Sequence, residues 1–169
     1  MIAEHHGNAV ISKSGHSFIK QVMRESGAVY GGEMSAHHYF RDFFYCDSGM
    51  IPWLLTIELL SVTGKTLSEL VTGYIKAYPS SGELNFRLNT HDAPTIISAI
   101  EERFSTQHPT KSTLDGLSLN FGEWRFNLRA SNTEPLIRLN IEIRGDEQLL
   151  ATKTQDIQQW LATQGAVPA

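Results

Sequence analysis

Cysteine is almost missing from this chain: Cys46 stands alone, so no internal disulfide can form and a reducing compartment is the expected setting. No apolar run approaches the roughly 18 residues that a membrane span requires. Positive charge is not in excess either. Lys and Arg number 14 against 18 Asp and Glu, a net charge of −4, which argues against a general polyanion-binding surface. Any anion site therefore has to be local. The opening Met-Ile-Ala-Glu-His-His-Gly has neither a basic region nor an apolar core, so a signal peptide is not expected and cytoplasm is the expected location. Aspartate is sparse and dispersed, at 42, 47, 92, 115, 146 and 156, and no two are close enough to form an aspartate-rich metal loop. The neighbouring histidines His5-His6 and His37-His38 lack the spacing of a structural metal site and have no cysteine pair beside them, so no metal ligand set is expected.

What the chain does have is enough apolar matter for a core. Of its 169 residues, 41% are hydrophobic and 9% aromatic, which suits one domain or two small ones. Val10 to Ser12 reads as a short strand. Residues 16–25 read as a helix with Phe18, Ile19, Val22 and Met23 on one face, and residues 28–30 as a strand. Ser48 can cap a helix running to about Ser61, with Pro52 in its first turn. That helix is apolar almost all round, which predicts burial between layers. After a break at Val62-Thr-Gly-Lys, Thr66 opens a helix to about Tyr78 with Leu67, Leu70, Val71 and Tyr74 as its core stripe. Trp53, Trp124 and Trp160 are all expected in cores.

Beyond Pro79 the pattern changes. A strand is predicted over 83–88, then a helix opened by His91 or Asp92 with Ile96, Ile97, Ile100 and Phe104 spaced near 3.6. Residues 107–113 read as loop. Leu117, Leu119 and Phe121 alternate, Gly122-Glu123 turns the chain, and Trp124, Phe126 and Leu128 return. Ile137, Leu139, Ile141 and Ile143 face a core, which turns Arg138, Asn140 and Glu142 the other way. A last helix covers 147–163. The expected fold is an α/β fragment followed by an α+β domain, an antiparallel sheet with helices packed on one face.

Two segments carry chemistry. Arg129-Ala-Ser-Asn-Thr-Glu-Pro135 reads as a loop of small polar residues led by an arginine, with Arg138 on its far side. A guanidinium offers a fixed fork of donors to two phosphate oxygens at once, and Ser131, Asn132 and Thr133 add short donors and turn chemistry. Gly31-Gly-Glu-Met-Ser-Ala-His37 places a carboxylate after two glycines. An ionised Glu33 is acceptor-only, so it can receive both protons of a vicinal diol, while Ser35 and His37 alternate with it as neutral polar neighbours. Read more plainly, both are polar turns whose charged residues are solvated.

Together these segments resemble the sugar-binding and phosphate-binding loops of the α-D-phosphohexomutase family, in its bacterial phosphomannomutase branch. Lys13-Ser-Gly-His-Ser-Phe-Ile-Lys20 and Tyr45-Cys-Asp-Ser-Gly-Met-Ile-Pro52 add to the likeness, which spans nearly the whole chain and weakens through 79–115. Glu-Met-Ser and Ser-Asn-Thr differ from the Glu-Gln-Ser and Ser-Gly-Thr forms of the phosphoglucosamine branch. The resemblance implies that residues 1–62 belong to the third, sugar-binding-loop domain and 63–169 to the fourth, phosphate-binding domain. It implies sugar contacts from Glu33, Ser35 and His37, a phosphate grip from Arg129, Ser131, Asn132 and Thr133, and an orienting or proton-transfer role for His16.

The phosphoserine loop and the Asp-Gly-Asp-Gly-Asp magnesium loop of that family are both missing from these residues. The implied reading is the substrate-recognising C-terminal portion of an enzyme interconverting mannose 6-phosphate and mannose 1-phosphate, inactive on its own. Mg2+ and a hexose 1,6-bisphosphate activator would serve the full-length enzyme and neither would be bound by this chain; its partners would be hexose phosphate and the remaining N-terminal domains, with no nucleic acid and no membrane. The alternatives are a phosphoglucomutase or dual-specificity enzyme, and a stand-alone sugar-phosphate-binding module.

Overall fold

The computed structural model describes residues 2, 5–33, 35–89, 92–131 and 134–169. The chain forms two compact units, Met1–Thr66 and Leu67–Ala169.

In the first unit, helix α1 (His16–Ser26) is preceded by Gly15, whose φ of 121° is open to glycine and strained for other residues. Its Ile19 and Met23 are buried and pack with Tyr39, the three residues of a small core. Strands β1 (Tyr30–Gly32), β2 (His38–Phe40) and β3 (Cys46–Asp47) form an antiparallel sheet in that order. Gly31 is there for close approach: a Cβ at that position would lie 2.8 Å from Met23 Sδ and 3.1 Å from Ile19 Cγ2. The expected strand at 10–12 does not form, because those residues have no ladder partner. Strands β2 and β3 are too short for an alternation pattern to reveal.

Helix α2 (Met50–Thr63) has Pro52 in its first turn, and Ser48 Oγ accepts from the Ile51 N–H at 3.3 Å, as a capping serine should. Its predicted burial is wrong. None of its residues is buried, and Trp53, Leu54, Leu55, Ile57 and Leu59 are exposed. An apolar circumference is a demand for cover on all sides, and the described residues do not supply it.

The second unit opens with α3 (Leu67–Ala77), whose expected core stripe is also uncovered: Leu67, Val71 and Tyr74 are exposed. Then come β4 (Leu84–Leu88), α4 (Ala93–Phe104), β5 (Thr110–Ser112), β6 (Leu117–Asn120), β7 (Trp124–Ala130), β8 (Leu136–Ile143), α5 (Glu147–Thr163) and β9 (Ala166–Pro168). Asp92 caps α4 by accepting from Thr95 N–H at 2.9 Å, and Asp146 caps α5 through Leu149 N–H at 2.8 Å. His91 lies outside the described residues. The six strands run in the order β5-β6-β7-β8-β4-β9, every neighbouring pair antiparallel. Two of them correct the prediction: β5 lies within the expected loop 107–113, and β9 follows the last helix. Both are short, polar or proline-containing edge strands, which carry little hydrophobic signal.

Alternation behaves as expected on the central strands. Trp124, Phe126, Leu128, Ile137, Leu139, Ile141 and Ile143 are buried in one cluster with Ile96, Ile100 and Phe104 of α4 and Ile157 and Leu161 of α5. The helices thus cover the apolar face of an α+β sheet, and the opposite face carries the polar residues of β7 and β8.

Candidate functional site

Each unit carries its own constellation. In the first, the chain leaves β1 and makes a tight turn before β2. The Glu33 N–H donates to His37 O at 3.0 Å and the Ala36 N–H to Glu33 O at 3.1 Å. Ala36 sits at φ 62°, a left-handed conformation that costs a non-glycine residue about 1 kcal/mol or more and is common at ligand sites. This turn aims side chains at one another. Ser35 Oγ is 2.8 Å from His37 Nδ1 and 3.5 Å from Glu33 Oε2. The His37 ring meets His16 edge to face at 5.1 Å. His16, Glu33, Ser35 and His37, singled out from sequence, are therefore neighbours.

Sequence reading missed Tyr39. It is fully buried, its hydroxyl donates to Glu33 Oε1 at 2.5 Å, and its ring edge meets His16 at 5.1 Å. Burial, reinforced by the Glu33 carboxylate, raises its phenol well above the ordinary tyrosine range, so the hydroxyl stays a donor. One carboxylate oxygen of Glu33 is thus engaged from the core, and among the described residues the other has only a long serine contact. The alternation of Tyr39 with His38 and Phe40 was visible in sequence, but its hydrogen bond depends on the turn bringing Glu33 back over β2.

His16, His37 and Asp47 also converge, with one ligand atom from each lying within 4.8 Å of the others. Asp47 Oδ1 already accepts from the His38 N–H at 3.0 Å. Tetrahedral zinc at ~2.0–2.1 Å from its ligands brings them to roughly 3.4 Å from one another. This donor set would have to contract to hold such an ion, and it differs from the adjacent-histidine pairs weighed from sequence.

In the second unit the arginine expected in a loop belongs to a strand. Arg129 is the sixth residue of β7 and pairs directly with Arg138 of β8. The connection is short enough for Ser131 N–H to donate to Leu136 O at 2.8 Å, extending the ladder toward the tip. Asn132 and Thr133 lie outside the described residues. On the polar sheet face, cross-strand neighbours run Arg125–Glu142, Asn127–Asn140 and Arg129–Arg138. Two like charges directly opposite repel, and Glu83, just before β4, answers them. Its carboxylate meets Arg129 Nη2 at 3.0 Å and Arg138 Nη1 at 3.4 Å. Arg138 Nη2 also reaches Ser131 Oγ at 3.5 Å, while its buried Nε has no partner among the described residues. All three charged side chains are about a third exposed or less, so the cluster keeps open donors facing a wet surface. Glu83 was not anticipated, since nothing local connects it to residues 46 and 55 positions further on.

Gly116 supports this place from behind. Its φ is 72°, and a Cβ there would meet Leu128 O and Arg129 Cβ, each at 2.6 Å. The Asp115-Gly116 turn is pressed against the backbone that carries Arg129.

Two family models match the chain one after the other. Residues 1–78 match the model for phosphoglucomutase/phosphomannomutase, alpha/beta/alpha domain III, and residues 83–157 match that for the phosphoglucomutase/phosphomannomutase C-terminal domain. A protein of Xanthomonas campestris named as phosphohexose mutases is 54% identical over 157 residues, covering 93% of this chain and 35% of that protein. A phosphomannomutase of Escherichia coli K12 is 53% identical over 151 residues, 89% of this chain and 33% of its own length. A crystal structure of a phosphoglucomutase/phosphomannomutase family protein from Burkholderia thailandensis superposes with a TM-score of 0.75 at 28% identity, over 99% of this chain and 35% of that one. The chain spans about a third of the length of these relatives. By both of its matched domains, this chain belongs to the phosphoglucomutase/phosphomannomutase family.

Proposed function

We propose that the chain is the substrate-recognising portion of a phosphomannomutase, which interconverts mannose 6-phosphate and mannose 1-phosphate. In this reading the first unit contributes Glu33, Ser35 and His37 to ring hydroxyls, with His16 orienting or relaying a proton at its rim. The second contributes Arg129, Ser131, Asn132 and Thr133 to the phosphate that is not reacting. The domain assignment goes with it: the third domain over 1–62 and the fourth over 63–169. The observation that carries the reading is the convergence of a carboxylate, a hydroxyl and two imidazoles on one turn, in a chain whose relatives include named phosphomannomutases.

The chemistry available to these residues is recognition. A carboxylate and neutral donors read a diol, and guanidinium donors hold an anion at about 1.5–3 kcal/mol per charge-assisted bond. Positioning of this kind is the main protein contribution to phosphoryl transfer. Magnesium and a hexose 1,6-bisphosphate activator are assigned to the whole enzyme. The dispersed aspartates of this chain do not fit the magnesium loop. The remaining length of the relatives would supply the phosphoryl donor and the partner domains.

Titration calorimetry with mannose 1-phosphate tests the reading. Binding should weaken on Glu33→Gln and be lost on Arg129→Ala; unchanged affinity in both variants would sink it. With magnesium and a hexose 1,6-bisphosphate present, this polypeptide should show no turnover, and sustained turnover would refute its inertness. A second reading, a phosphoglucomutase or dual-specificity enzyme, is favoured by the family name of the Burkholderia structure. Comparing mannose and glucose 1-phosphates on the full-length enzyme separates the two.

A further inference from the structure

We propose that Glu83 is a built-in counter-anion that weakens the phosphate grip of Arg129 and Arg138, so that a bound phosphate is released quickly. The inference rests on the phosphate reading of this cluster and adds to it a residue that sets affinity.

The geometry has three parts. Arg129 and Arg138 face each other across β7 and β8, an arrangement that repels without a counter-charge. Glu83 provides one, touching a terminal nitrogen of each guanidinium at 3.0 and 3.4 Å. The cluster as a whole therefore carries one net positive charge where two arginines alone would carry two. Donors nevertheless remain. Each guanidinium has five N–H groups and Glu83 meets one nitrogen on each; Arg138 Nε is buried, so the donors left for a ligand are the remaining terminal N–H groups. Phosphate can bind beside Glu83 without expelling it.

The consequence is electrostatic. A phosphate dianion drawn to the arginines also feels a carboxylate a few ångströms away. In water-like surroundings such a repulsion changes affinity by about three- to tenfold, and salt reduces it. A tight anion site would serve storage. A mutase has to let its bisphosphate go and take it back the other way round, and a grip weakened by design suits that cycle.

Glu83→Gln separates charge from support, because the amide oxygen still accepts from a guanidinium. Inorganic phosphate, titrated into the full chain and followed by calorimetry and 31P line widths, is the probe. The expected result is a Kd about three- to tenfold lower in Glu83→Gln than in the parent, with slower exchange, the gain shrinking as sodium chloride is raised. Arg129→Ala should lose binding in either background. The variant also loses part of its cross-strand charge balance, so its melting temperature is read with and without phosphate; a larger phosphate-induced rise than in the parent supports the proposal even if the free variant is less stable. Equal or weaker phosphate binding by Glu83→Gln, with Arg129→Ala still damaging, overturns the inference and leaves the phosphate reading intact. Affinity indifferent to both arginines, or no binding by parent and variant alike, overturns both.

Discussion

Tyr39 lies wholly inside its unit yet spends its hydroxyl on Glu33. Replacing it with Phe keeps the ring against Ile19 and Met23 and removes the donor. Stability should fall by about 1 kcal/mol, the usual net value of such a bond, and sugar-phosphate affinity should fall several-fold because Glu33 is free to turn. The two effects separate in a cycle with Glu33→Gln: the affinity loss should vanish in that background and the packing should persist. The raised phenol has its own signature. Between the unperturbed value of 10.0 and the higher folded value, the unfolded chain has released a proton that the folded chain keeps. Stability therefore declines as pH rises above about 10, and Tyr39→Phe should flatten that decline in alkaline denaturation curves. At this scale the sequence was informative about Glu33, Ser35, His37 and His16 because they sit in short motifs. Tyr39 and Glu83 were hidden because their partners are supplied by a turn and by a ladder between distant strands.

Elements were legible where they are long and periodic. Helices α4 and α5 and strands β7 and β8 follow their apolar spacing, and most residues on their inner faces are buried as read, with Ile97, Leu150 and Trp160 half-buried against the same cluster. Short elements escaped, since two or three residues of β3, β5 or β9 cannot express a period. The placement of Arg129 was misjudged for a related reason: small polar residues after it look like loop, while the ladder with β8 continues through Ala130. The Asp115-Gly116 turn makes that placement sensitive. Gly116→Ala adds a methyl that must displace the Leu128–Arg129 backbone, in a positive-φ position besides. It should cost about 1–3 kcal/mol and weaken phosphate binding along with stability. Thermal melts paired with phosphate titration check this, and a variant with normal stability and normal binding would contradict the close contact.

Across the molecule the inequality in core size outweighs other features: among the described residues, three buried ones hold the first unit and sixteen the second. Calorimetry should show two transitions, the first unit melting at the lower temperature. The uncovered α2 reinforces this. Apolar patches of that kind are rare on isolated monomers, so the chain should bind a hydrophobic dye in its folded state and associate at high concentration, and Trp53→Lys with Leu54→Lys should reduce both. Amphipathic pattern alone could not foretell the exposure, because a helix that is apolar all round states only what it needs, not whether the cover is there.

The small first core has a practical outcome. Under a dilute protease, the turn bearing Glu33 should be nicked early, while the sheet holding Arg129 and Arg138 persists as a trimmed, folded remnant. Such a remnant would still take up inorganic phosphate and would have lost its sense of which sugar the phosphate came on.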